Sequence, residues 1–184
     1  MGKSKSAYSE PSKTGKNEHH VIVVWVDNEA GVLARVVGLF SGRGYNIDSL
    51  AVAEVDKKKS LSRITIVTIG TQEVIERIKL QLKKLIPVRK VADFSRHDPK
   101  ILFTELALFK IVASEKKQEK AKKSCKKFNL VVLDKSKKSL VIQVTALRRE
   151  IDKLTETLKP LGLVSISRTG AVAMTRGPEI FITN

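Results

Sequence analysis

The order of apolar patterns along this chain constrains its fold more than any other feature, because one six-part pattern occurs twice. Runs rich in β-branched residues, which predict strands, alternate with segments whose apolar residues recur at helical spacing. The first copy predicts the order βαββαβ at residues 20–26, 31–43, 46–55, 60–70, 72–86 and 88–94. The second copy predicts the same order at residues 104–112, 115–127, 129–134, 139–146, 149–161 and 163–173. The sequence therefore predicts an α+β fold of two tandem ferredoxin-like domains.

Composition suggests the domain limits and the compartment. Residues 1–18 contain almost nothing apolar, so we expect them to form a disordered arm. A polar stretch with Pro99 predicts a linker at 97–103, which places the domains at 19–96 and 104–178 and a tail at 179–184. A single cysteine, and no apolar run near the roughly 20 residues that span a bilayer, predict a soluble cytoplasmic protein with no membrane partner.

The junction between the first strand and the first helix has the features of a binding site. Residues 21–26 predict a buried strand, and Asp27 and Asn28 after it are of the types that cap helices. Gly31 has no side chain where the strand passes to the helix, and Gly44 suits the positive φ that ends many helices. Helix N-termini present unpaired N–H groups and a partial positive charge, which attract anions. The junction therefore predicts a site for a small carboxylic acid.

Two dense motifs surround this junction and end the second domain. The first reads Asn28-x-x-Gly31-Val32-Leu33-x-Arg35, and continues as Arg43-Gly44-Tyr45-Asn46-Ile47-Asp48-Ser49-Leu50 and Leu61-Ser62-Arg63. The second reads Arg168-Thr169-Gly170-Ala171-Val172-Ala173-Met174-Thr175-Arg176-Gly177. With these motifs the chain resembles, over roughly residues 19–178, the regulatory (small) subunit of acetohydroxyacid synthase, also called acetolactate synthase. The likeness identifies the first domain as an ACT domain.

The resemblance implies a regulatory function in the biosynthesis of valine, leucine and isoleucine. Members of that family activate a catalytic large subunit and confer feedback inhibition by a branched-chain amino acid. We expect valine, while leucine and isoleucine stay open, because one methylene in an apolar pocket decides only ~1–3 kcal/mol. The resemblance also implies a homodimer or higher homo-oligomer that holds the effector between two ACT domains. The effector-binding residues expected from the motif are Asn28, Ala30, Gly31, Val32, Asn46 and Ile47, the last two from the neighbouring subunit.

Catalytic and metal-binding residues are not expected in this chain. His19, His20 and His97 lie beside no nucleophile, and the adjacent His19 and His20 would point to opposite faces of a strand. Cys125 lies among lysines that could favour its thiolate, or it is a partly buried cysteine without chemistry. The resemblance places thiamine diphosphate, Mg²⁺ and FAD in the large subunit. We therefore expect no cofactor and no synthase activity in this chain alone.

The net charge of +16 suggests nucleic-acid binding as an alternative function. Ten lysines lie between Lys116 and Lys138, and such a cluster attracts phosphate backbones. Ferredoxin-like sheets also bind RNA by stacking bases on strand aromatics, for which Trp25, Phe103 and Phe109 are the candidates. The lysines could equally be a solvated helix face, in which case no specific nucleic acid is bound. Another amino-acid sensor of the ACT type is a further alternative.

Overall fold

The computed structural model describes residues 16–95 and 98–178, which form two α+β sandwiches. The first contains β1 (Glu18–Asp27), α1 (Val32–Ser41), β2 (Ser49–Asp56), β3 (Leu61–Gly70), α2 (Gln72–Leu82) and β4 (Val88–Ser95). The second contains β5 (Ile101–Val112), α3 (Glu115–Cys125), β6 (Val131–Lys135), β7 (Ser139–Ala146), α4 (Arg148–Leu158), a 3₁₀ turn (Lys159–Leu161), β8 (Leu163–Arg168) and β9 (Val172–Thr175). Both follow the order βαββαβ, with β9 added, so the predicted tandem ferredoxin-like fold is confirmed.

Each domain has an antiparallel sheet with two helices packed on one face. The strand orders are β2-β3-β1-β4 and β6-β7-β5-β8, and β9 pairs with the start of β5. In the first domain the helix-side core joins β1 and β3 to α1 and α2, and its fully buried members include Ile22, Phe40, Ile64 and Ile78. The apolar faces of the helices, spaced at helical period, account for this packing.

Strand β1 is buried on both faces, unlike β5. Its residues 22, 24 and 26 belong to the helix-side core, while residues 21, 23 and 25 pack against Ile101, Ala171 and Ala173 of the following domain. Burial on two faces explains why the sequence shows an uninterrupted apolar run there. In β5 the residues from 107 to 112 alternate between buried and exposed or half-buried, as expected when helices cover only one face.

The end of the second domain lies on the outer face of the first sheet. The guanidinium of Arg63, on β3, lies 5.3 Å from the centre of the Trp25 ring, and its Nη2 donates to the carbonyl of Ala173. Gly170 has a φ of +77°, and a Cβ there would lie 3.1 Å from the Cβ of Ser49. A glycine is therefore required both by the backbone conformation and by the close approach of β2. The two domains share an apolar interface.

The structure corrects the prediction of one final strand at 163–173. The chain turns at Gly170, so that β8 pairs with residues 107–111 of β5 whereas β9 pairs with residues 101–104. Strand β5 begins at Ile101, inside the predicted linker. The predicted arm at 1–18 lies outside the described residues except for 16–18, of which Glu18 belongs to β1, and the tail at 179–184 lies wholly outside them. The domain limits stay predictions.

Candidate functional site

The loop from β1 to α1 ends at Gly31, the residue immediately before the helix. Gly31 has a φ of +82°, a left-handed conformation that favours glycine, and no heavy atom outside its own chain neighbours lies within 4 Å of an added Cβ. No side chain of the described residues caps the helix. The N-terminus of α1 therefore keeps free N–H groups beside open space, which is the arrangement that binds an anion.

Asp27 and Asn28 do not cap α1, and that prediction was wrong. The carboxylate of Asp27 accepts a hydrogen bond of 2.7 Å from Nε of Arg89, and Nδ2 of Asn28 donates to Oε1 of Glu54 at 3.2 Å. Both side chains therefore bind neighbours across the sheet end rather than the helix. Their engagement elsewhere leaves the end of α1 uncapped, which strengthens its capacity for an external carboxylate.

Four of the six predicted effector-binding residues lie together at this junction. Asn28, Ala30 and Gly31 are exposed, whereas the side chain of Val32 is buried in the first core. Only the backbone N–H of Val32 can therefore reach a ligand, and it lies 3.4 Å from the carbonyl oxygen of Glu29, a long hydrogen bond. The geometry offers backbone donors from residues 30–32 and a side-chain amide from Asn28.

Asn46 and Ile47 lie at the opposite end of the same sheet. The carbonyl of Asn46 accepts a 2.6 Å hydrogen bond from Oγ1 of Thr68, while Asp27, four residues before Gly31, pairs with Leu61. Seven residues of β3 separate the two ends, or roughly 23 Å at about 3.3 Å per residue. A single chain does not bring all six residues together. A site composed of all six needs a second copy of the chain.

Asn46 belongs to a short polar cluster that reaches the second domain. Its Nδ2 donates to Oδ1 of Asp48 at 2.8 Å, and Oδ2 of Asp48 lies 3.4 Å from Nδ1 of His19 and 3.9 Å from Nη2 of Arg148. Asp48 is mostly buried, with a side chain 12% exposed. The loop that carries Asn46 is therefore in contact with the start of α4.

Cys125 is fully buried on the inner face of α3. Burial raises the pKa of its thiol to about 11, which disfavours the thiolate. The neighbouring lysines therefore do not activate it, and the alternative of an unreactive buried cysteine is the one that the structure supports. His20 pairs with Asp93 at 3.1 Å while His19 faces Asp48. Within residues 16–95 and 98–178, no group of three or more His, Cys, Asp or Glu side chains is placed to hold a metal ion.

The lysine-rich segment forms an exposed surface. Helix α3 buries Gln118, Ala121 and Cys125, and turns its lysines outward, where Lys122 and Lys135 pair with Glu119. Of the three candidate aromatic residues for RNA binding, Trp25 is 3% exposed and Phe109 is fully buried, while Phe103 is partly buried against the interdomain core. The structure thus favours a solvated helix face over a nucleic-acid platform.

One ion-pair network around the buried Glu105 was not predicted from the sequence. Arg168 on β8 donates from Nε and Nη2 to the two oxygens of Glu105 at 2.6 and 2.9 Å, and from Nη1 to Asp152 at 2.6 Å. The hydrogen bonds to Glu105 raise the pKa of Arg168, and those to Asp152 add to this effect. The signal available in the sequence was a glutamate inside a predicted strand, which is unusual at a buried position without a cationic partner.

Comparison with known proteins shows the family of both domains. Residues 22–90 match a family model described as an AHAS small subunit-like ACT domain, and residues 104–177 match one described as the small subunit of acetolactate synthase. The acetolactate synthase small subunit of Aquifex aeolicus is 39% identical over 185 residues, covering 98% of this chain and 95% of that protein. The isozyme 3 small subunit of Escherichia coli is 34% identical over 161 residues, covering 87% and 97%.

A solved structure gives the same result. The crystal structure of the acetolactate synthase small subunit from Thermotoga maritima matches with a TM-score of 0.79 and 32% identity, over 88% of this chain and 99% of that one. The fold and the family match of residues 22–90 thus define a protein of two ferredoxin-like domains, the first of the ACT class. This chain belongs to the acetolactate synthase small-subunit family. Among residues 16–95 and 98–178, the helices are all too short or too polar to cross a bilayer.

Proposed function

We propose that this chain is the regulatory subunit of a cytoplasmic acetolactate synthase that serves branched-chain amino-acid synthesis. It binds the catalytic large subunit, raises its activity and makes it sensitive to feedback inhibition by valine. The family membership supports the pairing with a large subunit. The chain itself supplies no synthase chemistry, and the thiamine diphosphate, Mg²⁺ and FAD of the reaction belong to the partner.

The observation that carries the proposed effector site is the uncapped N-terminus of α1 beside Gly31. An amino acid's carboxylate accepts hydrogen bonds from the backbone N–H groups of residues 30–32, in the space that Gly31 leaves open. Its ammonium group is bound by the side-chain oxygen of Asn28, whose Nδ2 already donates to Glu54, or by polar atoms near Asn46 and Ile47 of a second copy.

Pairing of two chains along β2 is the arrangement that completes this site. Strand β2 is an edge of the first sheet, and Val52 and Val55 on it are about half exposed. Asn46 precedes the start of β2, and Asn28 contacts Glu54 near its end. Antiparallel pairing of two β2 edges therefore brings the Asn46 end of one copy beside the Gly31 end of the other. An effector bound there links its own occupancy to the packing of the dimer.

The test replaces Gly31 with aspartate and measures activation and valine inhibition of the matching large subunit. The added carboxylate enters the space of the effector's carboxylate and repels it. Loss of one charge-assisted hydrogen bond, at about 1.5–3 kcal/mol, weakens valine binding about tenfold to 150-fold, and loss of two weakens it by at least about 150-fold. We expect activation to persist, because it depends on other surfaces. Asn46→Ala should give a milder loss of valine sensitivity, since it removes a polar group without adding charge.

Gly31→Ala is the matched control. It likewise places a β-carbon on a residue with a φ of +82° but adds no charge, and alanine tolerates that conformation less well than aspartate does. If Gly31 served only the turn, both variants would lower the thermal midpoint and activation together. A folded and activating Gly31→Asp protein with unchanged valine sensitivity would rule out the proposed site. Failure of the unaltered chain to activate its large subunit would overturn the regulatory function itself.

A further inference from the structure

A cavity of about 460 Å³ lies between the start of β1 and the start of α4. Residues near the beginning of the described chain line one side, Phe103 and Ala171 line another, and Leu147, Arg148 and Arg149 line the third. Its volume is in the range of sites that enclose small molecules. The cavity lies at the end of the first sheet opposite Gly31, because Glu18 pairs with Gly70 whereas Asp27, near Gly31, pairs with Leu61. It adjoins the Asn46 end, since His19 and Arg148 in its wall both face Asp48, the partner of Asn46.

The polar part of the cavity wall is mainly cationic. Lys16, Arg148 and Arg149 contribute three positive charges, against one carboxylate from Glu18. The charges come from two different domains, and the fold brings them together although they are far apart in the sequence. Cationic groups converging on a cleft of low dielectric attract an anion more strongly than the same groups do on an open surface.

One guanidinium nitrogen in this wall has no partner. Nη1 of Arg148 is shielded from solvent and makes no hydrogen bond within the described part of the chain, while Nη2 lies 3.9 Å from Asp48, beyond hydrogen-bond distance. Buried polar nitrogens in proteins are nearly always hydrogen-bonded, and a charged one is costly to leave unpaired. An anion that draws the guanidinium of Arg148 toward the cavity would supply the missing acceptor.

Much of the remaining wall of the cavity is apolar. Val21, Phe103, Leu147 and Ala171 provide the apolar surface. At the start of α4 the carboxylate of Glu150 accepts a hydrogen bond of 3.1 Å from the backbone N–H of Leu147, so the cationic side chains, rather than the end of the helix, supply the attraction for an anion. We propose that this interdomain cavity binds a small amphipathic anion, with a carboxylate or phosphate group held by Arg148 and Arg149 and an apolar body against Phe103. The proposal does not rest on the effector site at Gly31, although the cavity adjoins the Asn46 end of the first domain.

The experiment titrates the full chain by calorimetry with phenyl phosphate and with benzoate, which share an apolar ring and differ in the anionic group. Benzyl alcohol has a similar ring without charge. We expect at least one anion to bind, with benzyl alcohol about tenfold weaker or undetectable. The stronger of the two anions identifies the head group. Inorganic phosphate is expected to bind more weakly than phenyl phosphate, since it leaves the apolar wall uncovered.

Arg148→Gln should lower the affinity for the anion about tenfold or more, and Arg149→Gln should lower it several-fold. Arg77→Gln is the matched control, because Arg77 is an exposed residue of α2 that does not line the cavity, and its removal should leave the affinity unchanged. If Arg148→Gln lowers the thermal midpoint, the affinity of the Arg149→Gln variant, whose replaced side chain is exposed, is the result that tests the proposal. No binding of either anion at millimolar concentration, or equal affinity in Arg149→Gln and Arg77→Gln, would overturn the proposal.

Discussion

Replacement of Arg168 with methionine should destabilise the second domain strongly. The change keeps the length of the side chain but removes all three hydrogen bonds to Glu105 and Asp152. Glu105 is only 2% exposed, so its carboxylate would remain buried without a cation. Removal of one member of a buried ion pair costs about 3–5 kcal/mol. Because the Arg168 side chain is 29% exposed and water can partly replace it, we expect a value near the lower limit, about 3 kcal/mol.

Thermal and urea unfolding measure this loss. For a chain of this size each kcal/mol lowers the thermal midpoint by about 2–4 °C, so a shift of roughly 6–12 °C is expected. Asp152→Asn is the matched control. Its carboxylate is 54% exposed, and loss of an exposed pair changes the free energy of unfolding by less than about 1 kcal/mol.

A double variant separates the buried charge from general damage. Arg168→Met combined with Glu105→Leu removes both charges, and apolar replacement of a buried pair is often nearly neutral. The double variant should therefore recover most of the stability that Arg168→Met loses. If the two substitutions were simply additive, or if Arg168→Met cost less than Asp152→Asn, the reasoning from the uncompensated Glu105 carboxylate would be refuted.

Two further predictions concern the basic segment. With a pKa of about 11 against an ordinary value of 9.0, native Cys125 should react with iodoacetamide at pH 8 about a hundredfold more slowly than in the unfolded chain, and rapid native labelling would contradict its burial. Nucleic-acid binding through the Lys116–Lys138 cluster should disappear near physiological salt in a fluorescence titration; tight, sequence-dependent binding at that salt would revive the nucleic-acid hypothesis.

The parts of the fold that depend on local pattern were predictable from the sequence. The apolar run of residues 21–26 and the helical spacing in α2 specified their elements, because burial on two faces or on one helical stripe leaves a direct trace in composition. The split of the last strand at Gly170 was not predictable in this way. It depends on pairing between β9 and the start of β5, two segments about 70 residues apart in the sequence.

The candidate site was also predictable only where it depends on local sequence. Gly31 was located correctly at the junction, because a glycine before an apolar helical pattern is a local signal. The prediction that Asp27 caps α1 was wrong. Its carboxylate binds Arg89, a residue 62 positions away in the sequence, and this contact arises only in the folded domain. The meeting of Lys16 with Arg148 is likewise invisible in the sequence, because only the packed domains bring those residues to one cavity. The effector-binding roles of the six motif residues stay predictions.

Strand β5 connects the two domains directly, because it pairs with β9 at its start and with β7 further along. Its first four residues pair with β9 against the outer face of the first sheet, and the following residues form the centre of the second sheet. One continuous strand of 12 residues, about 40 Å long at roughly 3.4 Å per residue, thus contacts the first domain at one end and forms the centre of the second sheet at the other. If the proposed effector tilts the ACT sheet, the strand carries that tilt into the second domain, and its far end at Val112 is displaced furthest.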